Sequence, residues 1–372
     1  MRGSNEVVAS RSGFVAFFVN ERLFLSLILV CLVVSALVYQ NLTLAMWLGF
    51  AFAGYSAVAN DSIQTLGTFI ASNGHRRWWV LWLFIGGTFL ATMAYGWVQY
   101  DGDVSYGRLG AKGFETAPTE IAYLQLVAPI VLMVITRLRM PVSTTLLLLS
   151  SFTTSPEGLA SVIKKSVVGY GYAFIIAVVV WGVLGRLQRK WFVGTPHPAW
   201  SVAQWLSTGF LWSMWLQQDA ANIAVYLPRQ LSFGEFMLFA GVITAGLGAL
   251  LYKRGERIQE VVTEKSQVVD VRPATVIDFI YAWLLYYFKV ISPTPMSTTW
   301  VFIGLLGGRE LILAATGAAD GRTVGHAVRI LVRDLVYVTI GLTVSMVLAF
   351  AINPTLRAAW SVEAHLTDAA TP

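Results

Sequence analysis

Long runs without a charged residue recur along this 372-residue chain, and they constrain its fold more than any other feature. They cover residues 23–39, 40–60, 78–100, 121–136, 140–156, 166–185, 191–218, 236–252, 290–308 and 335–356. A membrane-spanning helix needs about 20 mostly apolar residues, so these runs, with 279–288 extended into its flanks, predict about ten to twelve membrane segments. A mean hydropathy of +0.65 with only 12% charged residues agrees with a membrane protein.

The lipid environment determines which secondary structure these membrane segments can adopt. Lipid cannot hydrogen-bond the backbone, which favours helices, and a β-barrel would show short alternating strands instead. The sequence therefore predicts an all-α polytopic membrane protein. The run 23–39 is longer than the apolar part of a signal peptide and lacks a clear small-x-small cleavage site, so we interpret it as a retained helix. The single cysteine, Cys31, supplies no disulfide framework.

The formal net charge of +6 does not indicate nucleic-acid binding, because the basic residues are scattered at the ends of the apolar runs. A positive-inside bias accounts for them. It places Arg76, Arg77 and the segments 186–190 and 253–272 in the cytoplasm with the N-terminus, and the acidic-leaning loop 101–120 outside. We predict an integral protein of the bacterial inner membrane in this orientation.

Two polar islands interrupt the apolar runs, and each contains one aspartate with an amide on either side. On a helix, residues three or four apart share one face, so the polar side chains of each island lie together. One carboxylate with two amide carbonyls is a hard, oxygen-only ligand set, which suits a small cation such as Na⁺. The predicted cation-binding residues are Asn60, Asp61 and Gln64 in the first island and Gln218, Asp219 and Asn222 in the second.

A second motif, Pro-x-Ser-Thr-Thr, also occurs twice, at 141–145 and 295–299. Proline suits the first turn of a helix, so Pro141 and Pro295 are predicted to begin helices inside the membrane. The free N–H groups and the dipole at such a helix start favour an anion. The predicted oxyanion-binding residues are Ser143, Thr144, Thr145, Ser297, Thr298 and Thr299.

The two motifs recur in the same order and at nearly equal spacing, so the whole unit is duplicated. Each copy contains about five membrane segments, an odd number, which inverts the second copy relative to the first and brings both motif sets to the midplane. We predict an N-terminal segment with an extra helix (1–42), a first repeat (43–190), a second repeat (191–352) and a C-terminal tail (353–372). Inverted repeats with broken or re-entrant helices are typical of transporters.

These motifs resemble the inorganic phosphate transporter (PiT) family, whose duplicated signature is close to Gly-Ala-Asn-Asp-x-x-Asn-Ala, followed in each half by Pro-x-Ser-Thr-Thr-His. The matching stretches are "VANDSIQTLGT", "QQDAAN" and both Pro-x-Ser-Thr-Thr elements, which together span 57–299. The resemblance implies a Na⁺-coupled phosphate carrier, often dimeric. Gln64 and Gln218 stand where the family has asparagine, and Leu146 and Trp300 where it has histidine.

Other classes of function lack their motifs. The chain has no H-E-x-x-H sequence or clustered His and Cys for an enzyme, and no phosphate-binding loop for an ATP-driven pump. A channel would need a continuous polar pore instead of two islands. No cofactor is predicted beyond the coupling ion. Two alternatives stay open: sulfate in place of phosphate, and H⁺ in place of Na⁺, because a buried carboxylate also binds protons.

Overall fold

The structure is a computed structural model that describes residues 21–358, apart from 112, 139, 141, 154–155, 193, 253–269, 292–296 and 318–322 and the side chains of 62–64, 186–191 and 289. Three residues used in the predictions above therefore lie outside the described part: Pro141, Pro295 and the side chain of Gln64.

The described residues form helices and contain no strand, which confirms the predicted all-α class. In chain order the helices are α1 (Glu21–Val38), α2 (Leu42–Thr65), α3 (Gly67–Ser72), α4 (Trp78–Gln99), α5 (Arg108–Ala111), α6 (Tyr123–Arg137), α7 (Thr144–Leu148), α8 (Pro156–Trp191), α9 (Ala199–Ala224), α10 (Phe233–Tyr252), α11 (Val271–Tyr286), α12 (Thr298–Ala315) and α13 (Val324–Ile352). A 3₁₀ turn, Leu149–Phe152, follows α7, and a π turn, Tyr287–Ile291, follows α11.

Seven of the described helices are long and apolar enough to cross a membrane, namely α1, α2, α4, α8, α10, α12 and α13. The protein is thus a polytopic membrane protein. The predicted number of segments was higher because it counted every apolar run. α6 has 15 residues and α11 has 16, and α9 carries the second polar island, which lowers its hydropathy.

The helix pairs in the interior follow a regular pattern. α2 packs against α6, α9 and α10, while α9 packs against α11, α2 and α4. α4 packs against α10, and Phe239 of α10 stacks on Phe50 of α2 with ring centroids 5.2 Å apart. The contact of α2 with α6 thus corresponds to that of α9 with α11, and the contact of α2 with α10 corresponds to that of α9 with α4. The division into repeats at 43–190 and 191–352 stays a prediction.

The backbones of α8 and α12 approach each other closely at two glycines. A Cβ atom at Gly304 would lie 2.4 Å from the carbonyl oxygen of Tyr170, and one at Gly308 would lie 2.4 Å from that of Phe174. Small residues at such positions let membrane helices pack closely. In their most apolar parts, 72% of α12 is buried against 22% of α13, so α12 is an internal helix and α13 is a peripheral one.

Both Ser-Thr-Thr motifs start a helix with serine as the N-cap. The Ser143 hydroxyl accepts from the Leu146 amide (3.1 Å) and the Ser297 hydroxyl accepts from the Trp300 amide (3.4 Å). The helices therefore begin after the prolines and not at them, which corrects the predicted starts at Pro141 and Pro295. Serine is favoured at the N-cap because its side-chain oxygen accepts a hydrogen bond from a first-turn amide that has no other partner in the helix.

Candidate functional site

The two polar islands and the two Ser-Thr-Thr motifs meet in the interior. Asn60 and Asp61 lie in the last turns of α2, and Asp219 and Asn222 lie in the last turns of α9. They face the starts of α7 and α12. The site side chains that the structure describes are all at most 5% exposed, namely Asn60, Asp61, Ser143, Thr144, Thr145, Gln218, Asp219, Asn222, Ser297, Thr298 and Thr299.

The Asp219 carboxylate receives hydrogen bonds from three helices. Thr298 of α12 donates to its Oδ2 at 2.6 Å, and Thr145 of α7 donates to its Oδ1 at 3.3 Å. Asn222, one turn later on α9, donates to the same Oδ1 at 2.5 Å. Asp219 therefore joins both Ser-Thr-Thr segments.

The Asp61 carboxylate lies at the first of these segments, where Asn60 and Thr144 bond to it. Asn60 Nδ2 donates to Asp61 Oδ1 at 2.7 Å and to the carbonyl oxygen of Val142, just before α7, at 2.8 Å. Thr144 also hydrogen-bonds the carboxylate, and the charges of Asp61 and Asp219 interact electrostatically. The start of α7 therefore bridges the two carboxylates, with Thr144 on one and Thr145 on the other.

Two amide carbonyl oxygens in the second island are buried without a hydrogen-bond partner among the described residues. They are Oε1 of Gln218 and Oδ1 of Asn222. Their amide nitrogens are bonded: Gln218 Nε2 donates to the Leu285 carbonyl (2.9 Å), and Asn222 Nδ2 donates to Thr144 (3.1 Å) and Thr145 (3.0 Å). Buried polar atoms are almost always satisfied in proteins, so these two oxygens are candidate ligands for a bound ion.

The residues predicted to bind the anion and those predicted to bind the cation lie next to each other. The two serine hydroxyls act as N-caps, and Thr299 donates to the Val142 carbonyl at 3.2 Å. The threonines Thr145 and Thr298 bond directly to Asp219. The two predicted sets therefore form one connected cluster. Which ion each residue binds stays a prediction.

Sequence reasoning missed Arg108, in the loop between α4 and α6. The arginine lies on α5, which packs against α9, and its Nε is buried without a hydrogen-bond partner among the described residues. Burial lowers the pKa of the Arg108 guanidinium, and the charge of Asp219 acts in the opposite direction. No local pattern marks this arginine, because only the fold brings the loop to α9.

The loop after α5 lines a cavity of about 160 Å³ that reaches the site. Gly113 and Phe114 lie on the loop side, and Thr145 and Leu146 of α7 lie on the inner side. A second arginine fixes this loop, since Arg229 Nε donates to the Phe114 carbonyl at 2.8 Å. Burial lowers the pKa of Arg229 to about 10. The cavity thus extends from the loop region to Thr145, which donates to Asp219.

Sequence reasoning also missed Asp278 and Tyr281 on α11. Tyr281 is buried, and its hydroxyl donates to the Thr298 carbonyl at 3.0 Å, at the start of α12. Asp278 is buried one turn earlier, outside the Asp61 and Asp219 cluster. A signal was present, because Asp278 is the only charged residue between positions 273 and 288.

No protein-family model matches the chain, and a search of curated proteins finds no match. Among solved structures, the chain is similar to one described as "The sodium-dependent phosphate transporter". The two chains are 16% identical, the similarity covers 84% of this chain and 98% of the other, and the TM-score is 0.49. At this level of similarity, the functional assignment depends on the geometry of the site itself.

Proposed function

We propose that this protein is a secondary active transporter that couples Na⁺ entry to the uptake of inorganic phosphate by alternating access. The observation that carries the proposal is the buried cluster around Asp219, in which two amide carbonyl oxygens have no hydrogen-bond partner among the described residues. The cluster also joins four helices that begin or end at the same place.

The chemistry of the cluster fits a small hard cation. Two aspartates interact electrostatically in a buried site, and burying negative charge is costly unless positive charge compensates it. The Gln218 and Asn222 carbonyls add neutral oxygen ligands on α9. The atoms are all oxygens and none is a soft donor, which favours Na⁺ over transition metals.

The same cluster has donors for a tetrahedral oxyanion. Thr145 and Thr298 approach Asp219 from two different helices, and their hydroxyls would donate to phosphate oxygens when the anion lies between them. The guanidinium of Arg108 brings positive charge toward the same carboxylate. Cations held by Asp61 and Asp219 would offset the remaining charge of the anion, which links anion binding to cation binding.

The packing suits a site that opens alternately to each side. α12 packs closely on α8, and α7 packs on α13, so each Ser-Thr-Thr segment is held by a long helix. The site lies where these two pairs meet the ends of α2 and α9. A small relative movement of the two pairs would separate Thr145 from Thr298, and the Asp219 carboxylate between them would then be exposed to one side.

The test is uptake of labelled phosphate and of sulfate into liposomes that contain the purified protein, with imposed Na⁺ or H⁺ gradients. We expect phosphate uptake that requires inward Na⁺, and its loss in Asp61→Asn and Asp219→Asn. Asp101→Asn is the matched control, because Asp101 is an exposed loop residue whose left-handed backbone (φ 48°) asparagine also adopts.

Each other outcome has a defined meaning. Uptake of neither anion under either gradient would contradict the transporter assignment. Uptake of sulfate alone would identify sulfate, not phosphate, as the substrate. Uptake driven by H⁺ alone would identify H⁺, not Na⁺, as the coupling ion.

The variant Arg108→Gln tests whether the loop helps to bind the anion. We expect it to raise the phosphate concentration for half-maximal uptake about tenfold, equal to roughly 1.4 kcal/mol, and to leave the Na⁺ requirement unchanged.

A further inference from the structure

A third carboxylate is buried in the helical interior, away from the candidate site. Asp278 of α11 is 1% exposed. Its two oxygens each accept one hydroxyl: Thr68 of α3 donates to Oδ1 at 2.6 Å, and Thr208 of α9 donates to Oδ2 at 2.5 Å. Among the described residues, no basic side chain forms an ion pair or hydrogen bond with Asp278. Its partners there are neutral.

The position of Asp278 relative to the site follows from its partners. Thr208 precedes Asp219 on α9 by three turns, which corresponds to about 16 Å along the helix axis. Thr68 follows Asp61 beyond the junction of α2 and α3, which corresponds to about 10 Å. Asp278 therefore lies between the candidate site and the end of the molecule where α3 ends and α9 begins. The positive-inside prediction assigns that end to the cytoplasm through Arg76 and Arg77.

Polar side chains continue from Asp278 toward that end. Gln204, one turn before Thr208 on α9, donates to Ser72 (2.5 Å) and accepts from Asn73 (2.9 Å). Asn73 in turn accepts from the Nε of Arg76, which is exposed, at 3.1 Å. Gln204 and Asn73 are buried. A connected series of polar groups thus leads from Gln204, one turn before Thr208, to the surface at Arg76.

The titratable groups around α11 are not partners of Asp278 in the described structure. α3 has no titratable residue. Tyr281 bonds the Thr298 carbonyl, Arg272 bonds Asp270, and Arg309 bonds Glu310. On α11 and the elements packed against it, the other titratable residues are Arg272, Tyr281 and Tyr286 on α11, Asp219 on α9, Arg309 and Glu310 on α12, and Tyr287 and Lys289 on the π turn, where the side chain of Lys289 is outside the described part.

The surroundings of Asp278 fit a proton better than a metal ion. An ionised carboxylate in the membrane interior is costly unless a positive charge accompanies it. A bound metal cation takes six or more oxygen ligands in the case of Ca²⁺, and Mg²⁺ is octahedral, whereas one carboxylate and two hydroxyls meet here. A proton needs no further ligand, because the neutral acid and the two hydroxyls can satisfy one another.

We propose that Asp278 is a proton-binding site that is occupied near neutral pH, and that its proton makes transport depend on the pH of the Arg76 side. The second half of this proposal rests on the proposed transport function, while the first half is independent of it. The site is distinct from the Asp61 and Asp219 cluster, where the proposed function puts the coupling cations.

The direct test is infrared spectroscopy of the purified protein in lipid near neutral pH. We expect Asp278→Asn to remove one carbonyl band of a protonated carboxylic acid, while the exposed control Asp101→Asn removes a carboxylate band. Thr208→Val is expected to move the acid band to higher wavenumber, because it removes a hydrogen bond, and Thr208→Ser is expected to leave it in place. These threonine variants keep the test valid if Asp278→Asn does not fold.

Loss of a carboxylate band in Asp278→Asn would overturn the proton assignment. An acid band that responds to Na⁺ and not to pH would overturn it as well, in favour of a cation. The transport half is tested by phosphate uptake at varied internal pH under a fixed Na⁺ gradient, where we expect the wild type to vary severalfold and Asp278→Asn to be constant. Equal pH dependence in both proteins would overturn this half, whereas absence of uptake in the wild type refutes the transport function and leaves the infrared result standing.

Discussion

The two Ser-Thr-Thr segments share a sequence motif and a helix cap, yet they form different structures. After Ser143, α7 continues for five residues and tightens into the 3₁₀ turn Leu149–Phe152. After Ser297, α12 continues for 18 residues. The first segment is thus a short half-helix and the second is a complete internal helix.

The residues that follow each motif explain the difference. In the first segment, the hydroxyls of Ser150, Ser151 and Thr153 bond back to carbonyls of the preceding turn, which competes with regular helix bonding. In the second segment, Gly304 and Gly308 place α12 directly against the backbone of α8. Close packing along this length supports a long helix.

A duplicated motif therefore need not have a duplicated role. α7 supplies Thr144 to Asp61 and Thr145 to Asp219, and it lines the cavity that leads to the loop. α12 supplies Thr298 to Asp219 and is fixed to α8. We therefore expect α7 to be the segment that moves during transport and α12 to be its fixed counterpart.

The largest expected effect on uptake comes from the two aspartates, and it differs between them. Asp219 joins both segments, so Asp219→Asn is expected to lower Na⁺-dependent phosphate uptake about 100-fold, because a charge-assisted hydrogen-bond cluster worth roughly 3 kcal/mol is lost. Asp61→Asn, which affects the α7 side, is expected to lower uptake about tenfold. Initial rates in liposomes measure both. Equal losses of uptake in the two variants would contradict the larger role expected for Asp219.

The next effect concerns the fixed helix. Gly308→Ala is expected to destabilise the protein by about 1–3 kcal/mol, because the added Cβ would overlap the Phe174 carbonyl. Thermal unfolding in detergent measures the change. The control is Gly241→Ala on the exposed face of α10, where an added Cβ meets no described atom within 4 Å. A smaller loss of stability for Gly308→Ala than for the control would show that the close contact does not hold α12.

A smaller effect is expected at the threonine that α7 provides to Asp219. Thr145→Val keeps the shape and removes the donor, and we expect uptake to fall severalfold, since one hydrogen bond to a charged group is worth about 1.5–3 kcal/mol. Thr145→Ser retains the hydroxyl and is expected to keep most of the activity. If both variants lose activity equally, the methyl group rather than the hydroxyl matters at this position.

The smallest effect is expected at the caps. Ser143→Ala and Ser297→Ala each remove an N-cap worth about 1 kcal/mol. We expect Ser143→Ala to reduce uptake more, because α7 has only five residues and its cap is a larger share of its stabilisation, whereas α12 has 18 residues and packs on α8. Parallel unfolding and uptake measurements distinguish the two. A larger loss of uptake in Ser297→Ala would mean that α12, not α7, sets the transport rate.

Much of the architecture was predictable from local pattern. The apolar runs gave the helices, since the length that crosses a membrane is a property of a single segment. The two aspartates were recognisable because a carboxylate among apolar residues is rare and costly. The helix starts at the Ser-Thr-Thr motifs were predicted at the prolines, whereas the structure has them directly after the serines. Proline and serine both suit the beginning of a helix, and only the backbone geometry selects between them.

Other parts of the site depended on residues far apart in the chain. The role proposed for Asp278 depends on its hydrogen bonds with Thr68, 210 positions away, and Thr208, 70 positions away. Arg108 became relevant because its loop packs on α9 beside Asp219. No window of sequence contains such pairs, so local reasoning had no means to join them.

The membrane class, the approximate helices and the two duplicated polar motifs could be read from the sequence alone, because apolar length and a charge within an apolar run are local properties of the chain. Three features became visible only in the packed structure: Asp219 joins both Ser-Thr-Thr segments, α7 stops where α12 continues, and Asp278 forms a separate buried site. These features are set by hydrogen bonds and close backbone contacts between distant segments, and they exist only after the helices have packed.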